Sequence, residues 1–258
     1  MNRRLILFAL LAVAVGIFAA FGFRVKQVPP PPDRYAPLVA LVLDDFGYTR
    51  KNLDALKDVD APLTVAVLPD TPYSKAVCSF ADENGLEVIL HLPMEPEMET
   101  HHLEKDTIGS GMDDAAVKKI IANAFRSVPT ASGMSNHMGS KATKDDRLMT
   151  VVLGDLKDRG MFFLDSFTTK RSVCEQAARK VGIPYLRRDV FIDNRLEGEY
   201  IKRQMEKLEQ TAFTDGSAVG IGHDRGVTID VLREVVPKMK EKGIKFVYLS
   251  EMVEERME

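Results

Sequence analysis

Short runs of apolar residues alternate along the chain with longer segments in which apolar residues recur every three or four positions. The run from Leu38 to Leu43 contains six apolar residues in succession, which is typical of a strand that is buried on both faces of a parallel sheet. Similar runs predict strands over residues 63–68, 87–90, 131–136, 161–164, 185–192, 218–222 and 245–248. The pattern therefore predicts a chain that is built from repeated strand–helix units.

The segments between these runs have the spacing of amphipathic helices, and the clearest of them cover residues 113–127, 146–159, 172–181, 200–212 and 229–242. Four joints between a helix and the next strand contain a glycine: Gly85, Gly160, Gly182 and Gly243. Glycine accepts the left-handed conformation that ends a helix. We therefore predict an α/β fold with parallel strands. Seven or eight units favour a closed or nearly closed, distorted (β/α) barrel over an open sheet.

Aspartate or histidine follows most of the predicted strands, at the positions Asp44, Asp45, His91, His137, Asp165, Asp193 and His223. Active sites of parallel α/β folds form at the carboxyl ends of the strands. Adjacent carboxylates in such a place are costly unless a divalent cation offsets their charge. We therefore expect a shared metal site at this rim. The alternative for the paired aspartates, and equally for Asp165, is that they cap the helices that follow.

The N-terminal part of the chain is a different class of segment, divided into residues 1–27 and a proline-rich spacer over residues 28–37. Two arginines precede an uncharged apolar stretch from Leu5 to Phe23. At about 1.5 Å per residue this stretch can cross a hydrocarbon core of about 30 Å. It predicts a signal anchor in the membrane, with cleavage as a signal peptide after residues 20–22 as the alternative. Either outcome exports residues 38–258, which remain anchored and facing outward or become periplasmic or extracellular.

Charge and cysteine content bear on the partners of the domain over residues 38–258 and on its disulfide state. The formal net charge is -3 and no basic stripe is present, which argues against nucleic acid as a partner. Cys78 and Cys174 are the only cysteines and both fall within predicted helices. Buried thiols are the favoured interpretation, although an oxidising compartment would also permit a disulfide.

Four motifs in order along residues 38 to 250 resemble those of a known family. The segment 43–47, Leu-Asp-Asp-Phe-Gly, resembles the first motif of the polysaccharide deacetylases, in which an Asp-Asp pair follows the first strand. Residues 91–96 resemble a variant of their His-x-x-x-His-Pro metal motif, and residues 220–223 resemble their last motif. Together with Asn136-His137-Met138-Gly139-Ser140, the combination is most similar to the divergent polysaccharide deacetylases.

The resemblance implies a role for individual residues. Asp44 matches the general base, Asp45 the metal-binding aspartate and His91 the first metal histidine. His223 matches the histidine that protonates the leaving group. Glu95 replaces the second metal histidine, and we infer that His137 takes its place as the third ligand, with zinc as the expected metal.

The remaining candidates for the pocket are Glu95, Asn136, Asp165, Arg188 and Asp193. Glu95 would accept a hydrogen bond from a ligand histidine or fill a fourth metal position. Arg188 would orient Asp44 or the substrate, the alternative being an exposed charge pair. The long connection after the third strand, which contains His101 and His102, is either a solvated loop or a flap over the pocket.

The function that the resemblance implies is a metal-dependent hydrolase that removes acetyl groups from an exported or envelope polysaccharide, including peptidoglycan-type glycans. An amidase acting on peptidoglycan would also fit the metal site. The alternative is a non-catalytic glycan-binding or envelope-assembly module on a degenerate deacetylase scaffold. Retention of Asp44 and His223 favours the enzyme, whereas the altered second motif favours the binding module.

Overall fold

The structure is a computed structural model that describes residues 36–98 and 103–257. Its strands are β1 (Leu38–Phe46), β2 (Thr64–Val67), β3 (Glu87–Met94), β4 (Gly133–Met138), β5 (Phe162–Asp165), β6 (Tyr185–Arg187), β7 (Val190–Phe191), β8 (Ser217–His223) and β9 (Lys245–Val247). Its helices are α1 (Leu53–Leu56), α2 (Ser74–Glu83), α3 (Asp114–Ser127), α4 (Asp146–Asp158), α5 (Cys174–Val181), α6 (Gly198–Asp215), α7 (Gly226–Glu241) and α8 (Leu249–Met257). The predicted signal segment, the first eight residues of the spacer, and His101 with His102 lie outside the described residues.

The described strands form one parallel sheet in the order β6-β5-β4-β3-β2-β1-β8-β7, with β9 beside the start of β1. The two edge strands, β6 and β7, follow one another in the chain and are joined only by Arg188 and Asp189. The backbone N–H of Arg188 donates to Asp165 of β5, and that of Asp189 donates to Val219 of β8. The sheet therefore curls until one short segment contacts both of its edges. This confirms the predicted distorted (β/α) barrel.

The segment that joins these edges corrects one prediction. The apolar run predicts a single strand over residues 185–192, but the structure divides it into β6 and β7 on opposite edges of the sheet. The apolar pattern does not reveal the division, because each half is buried against a different neighbouring strand. Helix α8 was not predicted. Its residues Leu249, Met252 and Val253 pack against the interior of the sheet.

The faces of the strands alternate between the helix layer and the interior of the curled sheet. In β1, Val39, Leu41 and Leu43 pack into the larger cluster with the helices, whereas Ala40 and Val42 pack into the interior cluster. Burial on both faces explains the continuous apolar run. The four predicted cap glycines all have positive φ, between 65° and 94°, which confirms their role in ending helices. Cys78 and Cys174 are buried free thiols, so they form no disulfide.

None of the helices in the described ranges is both long and apolar enough to cross a membrane. The predicted signal anchor lies outside those ranges.

Candidate metal centre

The two-residue period of the strands places three polar side chains above the interior cluster. Asp44 follows Val42 of that cluster, His91 follows Ile89, and His223 follows Ile221, each two positions later in its strand. Side chains two residues apart in a strand point to the same face. Asp44 and His223 are also register partners on the neighbouring strands β1 and β8. The interior of the curled sheet thus ends at its carboxyl rim in a polar cluster.

Asp45 reaches this cluster through an irregular backbone. By simple alternation, its side chain would point toward the helix layer, as that of Leu43 does. The register between β1 and β2 shifts between Leu43 and Phe46, and Asp45 has φ of 68°. Few residues other than glycine adopt this left-handed conformation, and it is common at functional sites. The bulge redirects the carboxylate of Asp45 toward the interior.

Three side chains converge on one point, and their ligand atoms form a small triangle. Asp45 Oδ1 lies 3.0 Å from His137 Nδ1 and 3.4 Å from His91 Nε2. The two histidine nitrogens are 3.3 Å apart. Ligands placed tetrahedrally at about 2.0–2.2 Å from zinc are about 3.3–3.6 Å from one another. Two of the three distances fall within this range and the Asp45–His137 distance is shorter. With its one carboxylate and two imidazoles, the triad of Asp45, His91 and His137 could hold a divalent cation.

The charge states of Asp45 and His91 favour binding of a cation. Burial raises the pKa of Asp45, but the neighbouring rings of His137 and His91 outweigh it and hold the pKa below its usual range, so the carboxylate stays ionised. Burial lowers the pKa of His91 to about 4. The Nδ1 atom of His91 lies 2.7 Å from Ser135 Oγ. A proton on Nδ1 that is donated to Ser135 leaves a lone pair on Nε2, which faces Asp45.

His137 has a carboxylate on the side of its ring that faces away from the triad. Its Nε2 lies 3.3 Å from Glu104 Oε1. Burial lowers the pKa of His137, but Asp45 and Glu104 together outweigh it and raise the pKa above its ordinary value. Sequence reasoning missed Glu104, because it lies in the connection between β3 and α3, where no periodic pattern or motif distinguishes it.

Asp44 lies beside the triad, with Oδ2 3.6 Å from His91 Nε2. Its side chain is buried, and its Oδ1 has no hydrogen-bond partner among the described residues. Burial, together with the charges of Asp45 and Asp193, raises the pKa of Asp44 well above its usual value, while Arg188 acts in the opposite direction. A carboxyl group with a raised pKa and a free oxygen is suited to accept a proton.

His223 is held by a buried carboxylate. Asp193 Oδ1 lies 2.7 Å from His223 Nδ1, and Asp193 Oδ2 accepts hydrogen bonds from the His223 backbone and from Thr228 Oγ1. Burial raises the pKa of Asp193, but the hydrogen bonds with His223 and Thr228 have the larger effect. The pKa of Asp193 is therefore lowered from its usual value. The ring of His223 stacks on Phe191, which lies under the guanidinium of Arg188. The free Nε2 edge of His223 is thereby fixed in orientation.

Arg188 is half-buried and does not form the exposed charge pair that was the alternative. Its Nε and Nη2 donate to the backbone carbonyls of Ser166 and Phe167, and its positive charge favours the ionised form of Asp44. The guanidinium therefore lies close enough to the polar cluster to influence the base candidate.

Glu95 is the clearest correction among the predicted pocket residues. Its carboxylate accepts hydrogen bonds from Lys141 Nζ and from the backbone and hydroxyl of Ser110. It does not belong to the group of mutually close ligand atoms. The prediction that it contacts a ligand histidine or fills a metal position is therefore wrong. Its side chain instead links the segment that contains Ser110 to the one that contains Lys141.

Asn136 and Asp165 support the backbone around the site. Asn136 Nδ2 donates to the carbonyl of Met138, and Asn136 Oδ1 accepts from the backbone N–H of Ser166. Asp165 follows Leu164 of the interior cluster and so points to the opposite face, where it accepts from Ser172 and Tyr185. Asp165 also does not cap the helix that follows, as the alternative predicts, because the N-cap of α5 is Val173.

The profile of the divergent polysaccharide deacetylases matches residues 41–253. The chain belongs to this family. The match confirms the resemblance that the sequence motifs indicated.

Three proteins that are similar to this chain are each described as uncharacterized. An uncharacterized protein of Haemophilus influenzae is 36% identical over 203 residues, which cover 79% of this chain and 72% of that protein. The uncharacterized protein YibQ of Escherichia coli is 35% identical over 198 residues, which cover 77% of this chain and 62% of that protein. The crystal structure of an uncharacterized protein of Agrobacterium tumefaciens has a TM-score of 0.81 at 21% identity, over 86% of this chain and 92% of that one. That structural likeness shows the fold alone.

Proposed function

We propose that this chain is a metal-dependent hydrolase that removes acetyl groups from an envelope or exported polysaccharide. The observation that carries the proposal is the placement of two proton-transfer groups around one cation-sized triad. Asp44 lies within 3.6 Å of the ligand atom of His91, and its register partner His223 is held by Asp193. A module that only binds glycan has no need of a base and an acid in this arrangement.

A cation held by Asp45, His91 and His137, which we expect to be zinc, would supply Lewis-acid polarisation of a carbonyl oxygen and a lowered pKa for bound water. Asp44 would take the proton from the water that attacks the acetyl carbon. His223 would give a proton to the departing nitrogen (or oxygen) of the sugar as its bond to that carbon breaks. Acetate and a free amine or hydroxyl leave, and the two residues exchange their protons with solvent before the next turnover.

The substrate class and the location are parts of the same proposal. Membership of the polysaccharide deacetylase family supports a glycan substrate, and a peptidoglycan-type glycan would be reached from the outer side of the cytoplasmic membrane. The arginine pair and apolar stretch of residues 1–27 support export, with the segment retained as an anchor or cleaved.

The proposal is tested first by metal content. We expect the purified chain to bind about one divalent cation, and each of Asp45→Ala, His91→Ala and His137→Ala to lose most of it. Glu95→Gln is the matched control, because this carboxylate occupies a motif position of the family yet is bound to Lys141 and Ser110. Full metal occupancy in His137→Ala would refute the ligand assignment.

The second test is acetate release from acetylated envelope glycans, including peptidoglycan, by the metal-loaded chain. We expect release by the wild type and little from His223→Ala, which should keep its metal. A metal-loaded wild type that binds glycan but releases no acetate from any of these substrates would support the non-catalytic module instead.

A further inference from the structure

The connection between β3 and α3 sends one carboxylate into the metal centre. The described part of this connection next to α3, residues 103–113 (the β3–α3 loop), carries Glu104, whose side chain is 19% exposed and whose Oε1 lies 3.3 Å from His137 Nε2. The contact is not aligned as a hydrogen bond, and His137 Nε2 is buried without a partner among the described residues. The other oxygen of Glu104, Oε2, is likewise buried without a partner among them. Unpaired buried polar atoms are rare and costly. A hydrogen bond between these two groups would remove both penalties.

The two nitrogens of His137 have different surroundings. Nδ1 is the atom that lies 3.0 Å from Asp45 and 3.3 Å from His91, so it is the nitrogen that faces the cation position. Nε2 faces Glu104 and is left to carry the proton. A carboxylate that accepts this proton fixes the tautomer and the orientation of a metal-binding ring, and it makes the ligand more basic. On His91 the corresponding acceptor is a hydroxyl oxygen, Ser135 Oγ, which lies 2.7 Å from Nδ1.

We infer that Glu104 is a positioning residue that holds His137 in its ligating orientation, so that the β3–α3 loop forms part of the metal centre. The inference rests on the proposed ligand set. Glu104 itself stands outside the group whose ligand atoms all lie within 4.8 Å of one another, which separates it from a direct ligand. Tyr48, from the connection after β1, donates to Glu104 Oε1 over 3.3 Å and so also restrains the carboxylate.

The experiment measures the zinc dissociation constant of the full chain by competition with a chromogenic chelator. We expect Glu104→Ala to weaken zinc binding by about 10–100-fold, the range found when an outer-shell partner is removed. Glu104→Gln keeps an acceptor oxygen and should lose less than the alanine variant. Asp106→Asn is the control, because it makes the same change of charge at an exposed position of the same loop. It should bind zinc as the wild type does.

Two results separate this inference from its alternatives. In a His137→Ala background, Glu104→Ala should cause little further loss, since a residue that acts through His137 has nothing left to position. A further loss as large as that in the wild-type background would make Glu104 a ligand in its own right and overturn the inference.

Unchanged zinc affinity in Glu104→Ala would overturn it as well, while leaving the proposed function intact. A wild-type chain that binds no zinc or other divalent cation would instead refute the proposed function. Thermal unfolding of the metal-free chains checks the fold, and Glu104→Gln should unfold at the wild-type temperature.

Discussion

At the scale of single residues, Asp44 combines deep burial with two nearby negative charges. These features raise its pKa, and its Oδ1 has no hydrogen-bond partner in the part of the chain that the structure describes. Asp44→Asn keeps the size of the side chain and removes the proton acceptor. We expect the variant to keep its metal through Asp45 and the histidines, while acetate release falls by about 10²-fold or more, the lower range for loss of a general base. Parallel measurements of metal content and acetate release test this, and a loss of metal equal to the loss of activity would contradict it.

The same carboxyl group predicts a stability effect in the metal-free chain. An acid whose pKa is raised by folding binds more protons folded than unfolded, so the stability of the fold decreases as pH rises from the unfolded pKa toward the folded one. At neutral pH, Asp44 therefore destabilises the metal-free fold. Asp44→Asn should raise its unfolding temperature at neutral pH, and the difference from the wild type should shrink at acidic pH. Calorimetry of the metal-free proteins at both pH values measures this.

His91 and His137 predict how metal binding depends on pH. Burial keeps His91 unprotonated down to a pKa of about 4. Burial lowers the pKa of His137, but Asp45 and Glu104 outweigh it and raise the pKa above its ordinary value. A proton on His137 competes with the metal only below that raised pKa. We therefore expect metal affinity to decrease as pH falls through it, by up to about tenfold per pH unit for one competing proton. Titrations on both sides of pH 6.5 test this, and a constant affinity would contradict it.

At the scale of elements, the end of β1 depends on a glycine that no other residue replaces easily. Gly47 has φ of 125°, and a Cβ placed there would lie well inside contact distance of Thr71 Oγ1. Gly47→Ala should therefore destabilise the fold by about 1–3 kcal/mol, the cost of a strained backbone conformation. It should also weaken metal binding, because Asp45 lies two residues earlier. Denaturant unfolding and zinc titration measure the two effects.

A second glycine provides the matched control. Gly154 lies within α4, and a Cβ there would have no heavy atom within 4 Å. Gly154→Ala should stabilise the fold by about 0.5–1 kcal/mol, because glycine inside a helix is costly relative to alanine. If both variants were equally stable, the argument that the β1 turn requires glycine would fail.

At the scale of the whole molecule, the N-terminal segment predicts where the described domain works. Arg3 and Arg4 before a long apolar stretch indicate export, and the proline-rich spacer would hold the domain away from the bilayer. Protease added to spheroplasts should therefore digest the domain, while a cytoplasmic marker protein remains intact. Protection of the domain until the membrane is broken would contradict export.

Much of the barrel could be predicted from the sequence, because its strands and helices leave patterns in short, continuous stretches of the chain. Burial on both faces makes each central strand a continuous apolar run, and the helices end at glycines whose conformation few other residues adopt. The placement of Asp44, His91 and His223 at one rim also follows from local pattern. Each stands at or near the end of a buried strand, and carboxyl ends of parallel strands lie on one side of a sheet.

Contacts between distant parts of the chain account for what the pattern did not reveal. Residues 185–192 form two strands, because their halves meet different neighbours, β5 and β8. The bulge at Asp45 turns its carboxylate toward the interior of the sheet. The carboxylate of Glu95 instead accepts hydrogen bonds from Lys141 and Ser110 and does not join the metal ligands. Glu104 reaches His137 across 33 positions of the chain without any motif of its own. Composition and periodicity report which face of an element is buried, but the direction of a loop side chain depends on the atoms that fold against it.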